Sequence, residues 1–173
     1  MAMGSYTSRR EAVEQSYPIT VMLLAPLVAV YLQSYLPLHF PRFSILDLPL
    51  IVVIYFSLGR RSQVTGAVMG TGVGLLQDAL THLPLGVNGI AKAVVGYYAG
   101  SVSVRIDVDN PGTRLLINLV FTLVNSVMLY TVLRFLMNQT PGWHWGYELL
   151  RAVLNTMVAM LVFLLLDLFR RRA

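Results

Sequence analysis

Six apolar runs, most of them near the thickness of a bilayer's hydrocarbon core, occupy this chain between residues 18 and 169. A membrane-crossing helix needs about 20 predominantly apolar residues, and no other architecture uses such runs one after another. The runs cover 18–36, 43–58, 64–80, 85–104, 112–137 and 147–169. The second and third are short, since about 16 residues at 1.5 Å each reach only about 24 Å. They are expected inside the bundle, where the local bilayer can thin. Hydrophobic residues make up 56% of the chain and charged residues 12%, against about 25% charged in a soluble domain. So much apolar surface exceeds what a core of 173 residues can hide. The expected fold class is all-α, a polytopic six-helix transmembrane bundle: a short cytoplasmic segment 1–17, one membrane domain 18–169 and a basic cytoplasmic tail 170–173.

Charge placement gives the orientation. With the N-terminus in the cytoplasm, the cytoplasmic segments hold Arg9, Arg10, Arg60, Arg61, Arg105, Arg114, Arg170, Arg171 and Arg172, whereas the external loops hold only Arg42. This is the positive-inside pattern, and it places both termini in the cytoplasm. A five-span reading that drops the second helix breaks it. The net charge of +5 does not point to nucleic acid, because the basic residues stand at the ends of apolar runs rather than along one stripe. Arg9 and Arg10 ahead of an apolar run resemble the start of a signal peptide, but the run is long enough to span and is expected to be retained. Trp143, Trp145 and Tyr147 fall where an interfacial aromatic belt belongs.

Two sets of residues stand out within the runs. Gly66, Gly70 and Gly74 form overlapping pairs four residues apart, which let helices approach closely in lipid. Ala25 and Ala29, and Gly96 and Gly100, repeat the spacing. Such a stripe serves either packing within the bundle or contact with another protein's helix. The second set is ionisable. Asp47, Asp78, Lys92, Arg134 and Arg151, with Glu148 one turn before Arg151, all belong to the external half of the bundle. Charges at this depth need partners or a wet cavity. Lys92 is expected to pair with Asp78 or Asp47; the alternatives are side chains snorkelling to the headgroups, a substrate pocket, or a polar docking point.

Catalytic and metal patterns are not found. His39, His82 and His144 lie on external loops without helical metal-ligand spacing, and there is no H-E-x-x-H. No serine has the companions of a triad, and the glycines of the third run are not followed by Lys-Ser or Lys-Thr. Residues 107–112 carry two acids but lack the distal Glu of a calcium loop, so a solvated turn is expected. The absence of cysteine excludes disulfides and thiolate-bound metals. No cofactor is expected.

The hairpin between the third and fourth runs carries a more specific pattern. Leu75-Leu76-Gln77-Asp78-Ala79-Leu80, followed by Pro84-Leu85-Gly86-Val87-Asn88-Gly89, resembles the signature of the rod shape-determining protein MreD family. Leu46-Asp47-Leu48-Pro49 and the basic turn at Arg60-Arg61 are looser likenesses. This resemblance adds Asn88 to the polar set. It implies a non-catalytic protein of the bacterial inner membrane that binds MreC, a single-span protein with a large periplasmic part. It also implies a wider elongation complex with MreB, RodA and the transpeptidase PBP2, which directs side-wall peptidoglycan synthesis and cell shape. The family is similar in size and span number to the substrate-binding subunits of energy-coupling-factor vitamin transporters, which is the alternative reading.

Overall fold

A computed structural model of the chain describes residues 17–81, 83–108, 110–139 and 142–169. Arg9, Arg10, His82, Asp109 and the tail 170–173 lie outside the described residues. Six α-helices follow one another: α1 Ile19–His39, α2 Leu48–Arg60, α3 Gln63–Thr81, α4 Val87–Ser103, α5 Pro111–Thr131 and α6 Trp145–Asp167. Four stretches are long and apolar enough to cross a membrane: Ile19–His39, Pro41–Arg60, Pro111–Leu136 and Trp145–Asp167. The hairpin helices α3 and α4 fall outside that set. Glycine and threonine replace bulk in α3, and α4 has 17 residues.

α2 is the axis of the bundle. Its sequence is apolar on every side, and every residue from Pro49 to Gly59 is buried, as befits a helix with no polar face. It packs against all five other helices. It starts at Leu48 rather than at the expected Phe43, because Pro41–Ile45 first forms a 3-10 turn. Asp47 then caps α2 by accepting from the Leu50 amide at 3.1 Å, and Pro49 sits where no helical N–H is required. The helix ends at Arg61, whose φ of 50° is left-handed.

The other ends have equally local causes. Asn110 accepts the amides of Gly112 and Thr113 at the start of α5, so the expected turn at 107–112 ends in an N-cap. The expected run 112–137 is helical throughout, but Val132–Leu136 is π-helical. Tyr17, Tyr55, Phe56 and Phe163 pack edge to face or tilted, with ring centroids 5.2 to 5.6 Å apart. They make an aromatic block around the end of α2 far from Asp47. α1 is the most lightly held helix. Leu23, Leu24, Leu27, Val28 and Tyr31 are exposed, and an apolar groove runs along each of its flanks, against α3 and against α6.

Candidate functional site

The three aligned glycines of α3 are the geometric basis of the site. A methyl group on Gly66 would overlap the Gly96 carbonyl. On Gly70 it would overlap the Lys92 carbonyl, and on Gly74 the Asn88 carbonyl. α3 and α4 therefore meet backbone to backbone over three turns, and Gly96 and Gly100 reciprocate against Gly66 and Ser62. The stripe is consumed inside the chain. Gly72, on the opposite side of α3, faces open space. Ala29 is buried against α2, and Ala25 lies beside it on the floor of the α1–α6 groove.

This close crossing brings Asp78 to the start of α4. Its carboxylate accepts the amides of Gly86 at 2.9 Å, Asn88 at 3.1 Å and Gly89 at 3.3 Å, and the Asn88 side-chain amide at 2.8 Å. Asp78 is thus an N-cap supplied by a different helix. Its negative charge faces the positive end of the α4 dipole. Gly86 has a φ of 103°, a conformation suited to glycine, and this aims the first amides of α4 at the carboxylate. The Asp-to-Asn spacing of the hairpin is accounted for by this cap.

Lys92 does not touch Asp78. Its ammonium donates to Asp47 at 2.9 Å and to the Asn88 side-chain carbonyl at 2.9 Å. Asn88 therefore bridges Asp78 and Lys92, and Lys92 carries the link on to Asp47. The Lys92 and Asp47 side chains are 0% and 2% exposed, which rules out snorkelling for both. Arg151 on α6 approaches Asp47 at 3.6 Å and Glu148 at 3.9 Å. Arg134 does not join them: it is exposed in the middle of the π-helical segment and makes no hydrogen bond or ion pair to the cluster among the described residues. Its expected place in the cluster is corrected: even on a regular helix Arg134 stands across α5 from Asn118 and Asn125, about half a turn from the buried polar face.

Three amides complete the network, none of them expected from the sequence. Gln33 donates to the Leu46 carbonyl at 2.9 Å and accepts the Leu48 amide at 3.1 Å. Asn155 accepts the Asp47 amide at 2.8 Å and donates to the carbonyls of Ile45 and Arg151. Asn125 reaches Asp47 at 3.5 Å. Polar amides within apolar runs were the available signal, since each must find a partner in lipid.

A second ion pair closes the opposite end. Arg114, expected among the arginines of the cytoplasmic segments, is buried and donates to Asp167 at 2.7 Å, and the Tyr55 hydroxyl donates to the other Asp167 oxygen at 2.7 Å. Arg114 Nε also donates to the Val108 carbonyl. Asp167 was legible as an acid within the last apolar run.

Chemically, the first network is a closed knot. Each carboxylate oxygen of Asp47 and Asp78 is engaged by a donor, and no nucleophile stands beside a base. Among the described residues, no three His, Asp or Glu side chains gather to hold a metal. The model of the rod shape-determining protein MreD family matches residues 14–172, nearly the whole chain. No curated protein and no solved structure matches it, so the likeness to vitamin-transporter subunits rests on helix number alone.

Proposed function

The chain belongs to the rod shape-determining protein MreD family, and we propose that it is a non-catalytic scaffold of the bacterial inner membrane that holds the transmembrane helix of MreC. In this reading it helps direct side-wall peptidoglycan synthesis within a wider complex of MreB, RodA and PBP2. In this reading all six helices cross the membrane, both termini lie in the cytoplasm on the side of the arginine-rich segments, and the Asp47 network faces outward.

The observation that carries this reading is the groove of about 450 Å³ between α1 and α6. Its floor is Ala25 and Ala29, and its walls include Leu24, Val28, Val162 and Leu165. Small residues at the bottom of an apolar trough let a partner helix come close, where dispersion and weak hydrogen bonds hold it. The glycines of α3 are committed to α4, so the alanines of α1 are the small-residue pair left for a neighbour. A vitamin pocket, by contrast, needs convergent polar groups around a cavity. Here Asp47, Asp78, Asn88 and Lys92 are bound to one another and to backbone amides.

Co-purification with MreC, read by mass, tests the proposal. Ala25→Trp fills the groove and is expected to lower MreC recovery at least about tenfold, with the melting temperature of the bundle unchanged, whereas Gly72→Leu on the far side leaves recovery intact. Equal recovery of MreC by the Ala25→Trp protein and the parent overturns the groove as the seat. Recovery of an ATPase module or a bound vitamin in place of MreC overturns the scaffold itself.

A further inference from the structure

α5 carries more polar side chains on its buried face than its packing uses. Asn118, Thr122 and Asn125 follow one another at helical spacing, and all are buried, with Ser126 beside them. Thr122 is satisfied by the Asn118 backbone carbonyl at 2.8 Å. Asn118 donates to the Thr156 hydroxyl, and Asn125 donates to Asp47. The side-chain carbonyl oxygens of Asn118 and Asn125 and the hydroxyl of Ser126 have no hydrogen-bond partner among the described residues. Gln77 Oε1, Glu148 Oε2 and Arg151 Nε, at the Asp47 end, share that condition.

We infer that this face of α5 lines a water-filled half-channel, open at the Asp47 end and closed before the Arg114 end. Buried polar groups in folded proteins nearly always have partners, and ordered water is the usual one where protein supplies none. The character of the atoms selects the occupant. Two of the three on α5 are pure acceptors and the third is a hydroxyl, so they call for a small donor. A metal cation is disfavoured beside the Lys92 and Arg151 charges. The mouth is at Arg151, whose side chain is 17% exposed. From Asn125 to Asn118 the channel deepens by seven residues, about 10 Å of helix rise. Past Asn118, Ile117 and the block of Tyr55, Phe56 and Phe163 close it with apolar surface. The inference stands apart from the scaffold reading and needs no partner.

The chain contains no cysteine, which suits it to accessibility mapping in proteoliposomes with silver ion as a water-sized thiol probe. Cysteine placed singly at Asn125 and Asn118 is expected to react at least about tenfold faster than cysteine at Val95, which is equally buried in apolar surroundings. Asn125→Cys should react faster than Asn118→Cys. Rates at both positions equal to that of Val95→Cys overturn the half-channel. A second measurement uses the native sequence and so survives any misfolding of the variants: radiolytic hydroxyl labelling read by mass. Phe121 belongs to the same apolar cluster as Phe56 but is flanked on α5 by Thr122 and Asn125, and it is expected to oxidise several-fold faster than Phe56. Equal rates overturn the proposal.

Discussion

The two ends of the bundle are each closed by one buried ion pair, and the pairs are built differently. At one end Lys92 and Asp47 are 0% and 2% exposed, and the pair is extended by Asn88, Asn125, Asn155 and Arg151. At the other, Arg114 and Asp167 are 10% and 33% exposed, with Tyr55 as the other side-chain partner of Asp167. The chemistry is the same and the environment is not. A dehydrated pair is weak evidence of net stabilisation, but breaking it strands a charge in low dielectric. A pair at the aqueous edge contributes less, and losing a partner there exposes the survivor to water. The first end thus behaves as a lock and the second as a clasp.

The largest expected effect is at the lock. Lys92→Met leaves Asp47 unpaired and should lower stability by about 3–5 kcal/mol, read as loss of the folded fraction in detergent melts. Adding Asp47→Asn should restore most of it. If the single variant melts like the parent, the contrast between the ends collapses. Next comes the crossing that positions the lock. Gly70→Leu drives a side chain into the Lys92 carbonyl and should cost about 1–3 kcal/mol or prevent folding. Gly72→Leu, facing open space, should melt unchanged, and equal losses at both would dismantle the account of the crossing. Asp78→Asn keeps the shape of the α4 cap but removes its charge, and about 2 kcal/mol is expected from its charge-assisted bonds. The smallest effect belongs to the clasp. Asp167→Asn should cost about 1 kcal/mol and less at high salt. A loss larger than that of Lys92→Met would reverse the comparison.

The number of helices, their order and the gathering of Asp47, Asp78 and Lys92 at one end are legible in the sequence, because run length and charge depth fix them. Asp78 as the cap of α4 is not. It depends on the left-handed Gly86 and on the backbone approach of α3 to α4, neither of which spacing alone reveals. The glycine stripe was legible as a contact surface but not as to its partner, since the same spacing serves a neighbouring helix of the chain or of another protein. Arg134 shares the depth of the cluster but not its side of α5: at about 3.6 residues per turn it stands across the helix from Asn118 and Asn125. Arg114 is legible as a cytoplasmic arginine at the start of the fifth run, but not as the partner of Asp167, which only the packing of α5 against α6 brings to it. Gln33, Asn125 and Asn155 are visible as amides within apolar runs, but their partners lie on distant segments that spacing alone does not bring together.

The support given to the 3-10 turn and the start of α2 bears on how the protein is made. The carbonyls of Ile45 and Leu46 and the amides of Asp47 and Leu48 are met by Gln33 and Asn155, and lipid offers no substitute for such partners. Asn155 is translated more than a hundred residues after Asp47. The second span therefore leaves the ribosome before two of these four bonds can form, and its entry settles only when the last helix arrives. A chain truncated before α6 would lose its beginning along with its end.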